Sequence, residues 1–138
     1  MRKENLRLIK ILCELYDVSC CANSFTPKGG GYYNFREKVI LLSDHPRQSN
    51  KAFMGVFFHE LVHHLHFLYP SEDDQYHNIK NLNKRDPIIK RVAHDAEVKV
   101  DKIAEEMFRF YFPNTKYPRS MYRTHPRVSK DFLKEHFK

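Results

Sequence analysis

Two histidines four residues apart, with a glutamate directly after the first, stand in the segment FFHELVHHLHF at 57–67: His59-Glu60-Leu61-Val62-His63. On an α-helix that separation is about 400° of rotation, so the two rings leave one face within about 40° of each other and a turn apart in height. Both imidazoles can then bind one ion. Glu60, beside the first ligand, can hydrogen-bond a metal-bound water without taking a coordination position, which is the arrangement of a zinc hydrolase with Glu60 as general base. With 9 His and 9 Glu in 138 residues, chance would produce the pattern roughly 0.04 times per chain, so the flanks must decide. They favour a helix. No Gly or Pro occurs between Val56 and Tyr69, only Gly55 interrupts the run from Asn50, and Met54, Phe58, Leu61, Leu65 and Leu68 recur at helical spacing. The two histidines lie off that apolar stripe, beside Ala52 and Val56.

A catalytic zinc usually takes three protein ligands and leaves a fourth position for water. Downstream, HDAEVKVD at 94–101 continues a helical pattern in which Glu97 projects within about 60° of Ala93, Val100 and Ala104. A carboxylate standing in an apolar stripe needs a cation. Asp101, one turn later on the same side, is placed to hydrogen-bond a ligating histidine and fix its tautomer. His77 and His94 are the alternatives for the third ligand. His66 shares the face of His59 but lies about 10 Å along the axis, too far to share one ion. His64 points elsewhere, either exposed or satisfied in the core. A tetrahedral oxyanion would need a donor besides the metal; Tyr111, Tyr122, Arg123 and His125 qualify by chemistry alone. A metzincin site is excluded, because Tyr69 stands where its third histidine would be and His66 where its glycine would be. A di-iron carboxylate site would require a second Glu-x-x-His, and the chain has none besides Glu60 to His63.

The elements that must position these residues can be read around them. Lys3 to Tyr16 reads as a helix with Leu6, Ile9, Leu12 or Cys13, and Tyr16 on one face. Val18 to Ala22 is a short β-prone run, and Pro27-Lys28-Gly29-Gly30-Gly31 is a turn whose glycines permit positive φ. Tyr32 to Phe35 and Lys38 to Leu42 read as two further strands hinged near Arg36-Glu37. The expectation is a small antiparallel meander directly before the metal helix. Lys38 to Leu42, if an edge, would align a peptide as an added strand over the metal; otherwise it only packs the helices. The metal helix runs from about Ser49 to Leu68, and Pro70 stops it. Ser71 to Lys84 is polar and aperiodic, a surface loop. Asp86-Pro87 opens a long helix with proline at its first position, ending near Phe112 before Pro113.

Length and composition bound the rest. A chain of 138 residues with 41% hydrophobic and 14% aromatic residues is one folded domain over 1–138, with 114–138 as a basic, aromatic tail carrying a short helix after Ser129. The net charge of +7 is spread along the chain and reads as a basic surface, with the tail a candidate for weak nucleic-acid association. No apolar run approaches 18 residues, and the N-terminus alternates charged and apolar residues instead of forming a signal-peptide core, so a cytoplasmic protein with no membrane association is expected. Cys13, Cys20 and Cys21 lack Cys-x-x-Cys spacing and read as reduced, small apolar residues.

The order of helix, small sheet, HELVHHLHF helix and a helix reading AEVKVDKIAEEMFRFYFP resembles the ImmA/IrrE-type metallopeptidases over roughly residues 1–113. Glu97, Val100, Asp101, Ala104 and Pro113 sit where that family's second signature would place them. The chain differs from the pattern at Val62, where glycine is usual, and at Asp101, where asparagine is usual; it also lacks the DNA-binding domain of some members. The resemblance implies an α+β, zincin-like fold, with Zn2+ held by His59, His63 and Glu97 and Glu60 as general base. It further implies a small cytosolic protease, often phage-borne, acting on a regulatory protein substrate. SprT-like metalloproteases, associated with DNA, are also similar in placing a third histidine near the position of His77. His77-Asn78-Ile79-Lys80 lacks the glycine and aromatic residue of their pattern. A non-catalytic metal-containing binding module is the third reading.

Overall fold

The computed structural model describes residues 3–23, 30–43, 49–69 and 87–118, with the backbone alone at 23 and 87–92. In chain order these form helix α1 (Lys3–Leu15), strands β1 (Ser19–Asn23), β2 (Gly31–Asn34) and β3 (Val39–Ser43), helix α2 (Asn50–Leu68) and helix α3 (Pro87–Tyr111). The class is α+β, as expected. The loop expected at 71–84, the tail from 119, His77, Tyr122, Arg123 and His125 lie outside the described residues.

Local signals set the ends of the elements. Asp17, in the left-handed region at φ 54°, closes α1 by letting the Val18 amide donate to the Cys13 carbonyl at 3.0 Å, the six-to-one bond of a helix C-cap. Ser49, extended at φ −71° and ψ 157°, caps α2: its Oγ accepts from the Ala52 amide at 3.2 Å. Between β2 and β3, the Asn34 Oδ1 accepts from the amides of Arg36 (3.0 Å) and Glu37 (3.2 Å), and Lys38 turns the chain back at φ 51°. Pro87 opens α3, as its fixed φ and missing amide suit a first helical position.

The sheet corrects the expected antiparallel meander. Its order is β1-β3-β2, with β1 parallel to β3 and β2 antiparallel to it. The segment expected as a candidate edge, Lys38 to Leu42, is therefore the central strand, and β1 and β2 are the edges. The reason lies in Val39-Ile40-Leu41-Leu42. A run without polar alternation suits a strand flanked on both sides, whereas β1 exposes Ser19, Cys21 and Ala22. Paired residues share a face: Tyr33, Ile40 and Leu42 are buried toward α2, with Cys20 opposite Ile40.

Helix α2 lies between that sheet face and α3. Phe53, Met54, Phe57, Phe58, Leu61 and Val62 are all buried on it, so the helix is enclosed on several sides and not along one stripe. From α3, Val100, Ala104 and Phe108 complete the core, Phe108 meeting Phe58 edge-on with centroids 6.2 Å apart. No described helix is long and apolar enough to cross a membrane. Cys13, Cys20 and Cys21 are free thiols, buried, half-buried and exposed in turn. The Cys13 thiol is pulled down by its hydrogen bond with Cys20, and that bond together with burial pushes the Cys20 thiol up.

Candidate metal centre

His59 and His63 leave α2 one turn apart, with ring centroids 5.0 Å apart. Across from them α3 runs antiparallel to α2 and presents Glu97 and Asp101, also one turn apart, from a face otherwise made of Val100, Ala104 and Phe108. All five functional candidates are buried: His59, Glu60, His63, Glu97 and Asp101 are each no more than 8% exposed. One carboxylate oxygen of α3 meets both rings. Glu97 Oε2 lies 2.8 Å from His59 Nε2 and 2.9 Å from His63 Nε2. Behind them, the other ring nitrogen of His59, Nδ1, donates to Asp101 Oδ1 at 3.2 Å.

Proton placement follows from these partners. Both nitrogens of His59 face carboxylate oxygens, which only accept, so both carry hydrogen and the ring is an imidazolium. Burial opposes that charge, but hydrogen bonds to Asp101 and Glu97, with the charge of Glu60 nearby, outweigh it and raise the His59 pKa from 6.5 to about 10. Burial likewise opposes the charge of Glu97, yet hydrogen bonds from His59 and His63 hold its carboxyl well below the usual carboxylate range.

The same donor set suits a divalent cation. One ligand atom from each of His59, His63 and Glu97 lies within 4.8 Å of the others, so the three could hold a metal ion. Four-coordinate zinc with bonds of about 2.0–2.1 Å separates its ligand atoms by roughly 3.3 Å. The observed Nε2–Oε2 separations fall within about half an ångström of that, a difference a carboxylate rotation covers. Replacing the proton on His59 Nε2 by a cation keeps the Nδ1–H bond to Asp101 intact, the outer-shell hydrogen bond typical of a ligating histidine.

Of the alternatives named from the sequence, His94 is half-buried on α3 and falls outside this three-residue group, as does His66. His64 is fully buried on another side of α2. Its Nε2–H donates to the Tyr16 carbonyl and its Nδ1 accepts from the Tyr33 hydroxyl, both at 2.6 Å, which fixes its tautomer and makes it a core histidine. The same burial that surrounds it raises the Tyr33 hydroxyl to about 12. Tyr111 stacks on Phe58 with centroids 5.7 Å apart, so its ring serves packing at the end of α3.

Two neighbours of the centre have only a faint sequence signal. Gly31, on edge strand β2, comes so close to α2 that a Cβ there would lie 2.7 Å from Val56 Cγ1 and 3.2 Å from Glu60 Cγ. Tyr117, beyond α3, donates its hydroxyl to Asp101 Oδ1 at 2.9 Å. The glycine run at 29–31 hints at the first; for the second, the hint is Gly55 inside a helix, since Pro118 packs where its Cβ would be. No protein-family model, curated protein or solved structure matches the chain.

Proposed function

We propose that the protein is a zinc-dependent peptidase with a zincin-like arrangement, akin to the ImmA/IrrE-type enzymes, that hydrolyses a peptide bond in a cytosolic protein. The observation that carries this reading is the convergence of His59, His63 and Glu97 from two helices on one point, with the Glu60 carboxylate buried beside it. Zinc, when bound, supplies the Lewis acidity that brings the pKa of a water toward neutrality. The chain's own residues do the rest. Glu60 takes the proton of the attacking water and delivers it to the leaving amine. Asp101 holds the Nδ1–H of His59 and so keeps Nε2 directed at the centre.

A peptide substrate is favoured by the position of β2. This edge strand passes over Glu60 at Gly31, and the register of the ladder turns the backbone groups of Gly31 and Tyr33 away from β3. A substrate strand added there would run beside the general base.

The test is Glu60→Gln. The variant keeps the ligand set, so its zinc content by elemental analysis equals that of the wild type, while cleavage of a denatured protein substrate falls by about 10²–10⁴-fold. Undiminished proteolysis in that variant would refute the assignment. Zinc bound at full stoichiometry with no hydrolysis by the wild type would leave the non-catalytic binding module.

A further inference from the structure

The segment after α3 packs behind the centre, against Asp101 and Gly55. Phe112 to Pro118 leaves the end of α3 and doubles back across α2. Two contacts pin it there. Pro118 packs against Gly55, one turn before His59, so tightly that a Cβ on Gly55 would lie 2.6 Å from Pro118 Cγ. Tyr117, itself buried, rests its ring edge-on against Phe108 with centroids 5.3 Å apart and passes its hydroxyl to Asp101 Oδ1 at 2.9 Å. The same oxygen accepts from His59 Nδ1 at 3.2 Å.

One carboxylate oxygen thus takes two donors, a ring N–H from α2 and a hydroxyl from the segment beyond α3. Each bond is a few tenths of an ångström longer than a charge-assisted bond of its own type, about 2.5–2.7 Å for O–H and 2.7–2.9 Å for N–H donors. The carboxylate is therefore held between the two donors, and its orientation depends on Tyr117 as well as on His59. Removing the hydroxyl takes away one of the donors that orient Asp101, and with it part of what fixes the His59 ring through Nδ1.

We propose that Tyr117 is a positioning residue of the metal centre, setting the aim of His59 through Asp101, and that the segment 112–118 is a strap whose seat on Gly55 keeps that hydroxyl in place. The proposal rests on the metal-site reading above and deepens it.

Tyr117→Phe is the direct test, because the ring and its packing on Phe108 survive. Zinc affinity of the full-length metal-free protein, measured at fixed pH by competition with a chromophoric chelator, should fall about tenfold, at the lower end of what outer-shell partners contribute. The melting temperature of the metal-free protein reports separately on any merely structural role. The decisive comparison adds Asp101→Ala: with the carboxylate gone, Tyr117→Phe should cause no further loss of zinc affinity. Equal zinc affinity in Tyr117→Phe and wild type overturns the proposal while leaving the metal centre standing. The same fold-loss with and without Asp101 overturns it too, since Tyr117 would then act by another route. Failure of the wild type to bind zinc removes the metal centre and the proposal together.

Discussion

Glu97→Gln separates a metal centre from a buried ion-pair network, because the two readings assign different work to one oxygen. Glu97 Oε2 accepts from both buried imidazoles at 2.8 and 2.9 Å, and its carboxyl is held well below the usual range by those bonds. Breaking a buried charged pair by neutralising one partner costs about 3 kcal/mol or more. For a domain of this size, about 3–4 °C of melting temperature accompanies each kcal/mol, so the metal-free variant should melt roughly 10 °C below the metal-free wild type. Both readings predict that drop. They part when zinc is added. A ligand at 1,000 times its dissociation constant stabilises by about 4 kcal/mol, so the wild type should gain on the order of 15 °C. The variant, lacking its third charged ligand, should gain little under the same conditions. Differential scanning calorimetry of both proteins, stripped by chelator and then titrated with zinc, reads the comparison directly. An equal zinc-induced gain in Glu97→Gln would move the third ligand elsewhere. No gain in the wild type with zinc, or with manganese, iron, cobalt or nickel, would leave only an ion-pair network.

Other outcomes follow from the same contacts. Gly31→Ala would put a Cβ 2.7 Å from Val56 Cγ1 and 3.1 Å from the backbone oxygen of Leu41, so β2 must shift; the expected loss is about 1–3 kcal/mol in chemical denaturation, with zinc stoichiometry unchanged. Tyr33→Phe leaves the buried Nδ1 of His64 without its hydroxyl donor and should cost about 1–3 kcal/mol by the same assay, again without changing zinc content, because His64 faces Tyr16 and not the centre. In the metal-free protein, His59 has its pKa raised from 6.5 to about 10, so its stabilisation is complete below pH 6.5 and disappears as pH rises through about 10. Glu97, lowered from 4.5, contributes stability that is complete above that pH and is lost as pH falls below it. Melting curves of chelator-treated protein should therefore show greatest stability between about pH 4.5 and 6.5, and a curve still rising from pH 7 to 9 would contradict the doubly hydrogen-bonded imidazolium.

How much of this was legible in the sequence depends on the range of the interaction. His59, Glu60 and His63, and separately Glu97 and Asp101, could be placed on shared faces because a 3.6-residue period fixes direction within a few turns. That Glu97 faces the histidines was legible through its neighbours, since Val100 and Ala104 mark the buried side and a carboxylate among them demands a partner. Strand order was not legible in that way. Hairpin logic joins consecutive strands and favours a meander, whereas the pairing of β1 with β3 skips β2 and is decided by burial. The continuous apolar run from Val39 to Leu42 carried the information, but an edge reading overlooks it. Tyr117 lies in a stretch with no period, so nothing local distinguishes it from the rest of a basic tail.

The two glycines beside the centre show how such long-range contacts leave a mark. Gly31 and Gly55 stand on different elements, yet both mark places where backbone or ring comes closer to α2 than a side chain would allow: β2 at Val56 and Glu60, the 112–118 strap at Gly55 itself. A glycine inside a helix is destabilising by roughly 0.5–1 kcal/mol relative to alanine, so its presence one turn before His59 calls for a compensating contact, and Pro118 is that contact. Gly55→Ala should consequently have a small net effect on the melting temperature, since gained helix propensity offsets the displaced strap. Zinc affinity should nonetheless fall, because the displaced strap carries the Tyr117 hydroxyl away from Asp101. A variant that melts higher and binds zinc as tightly as the wild type would show that the strap's seat on α2 is packing alone.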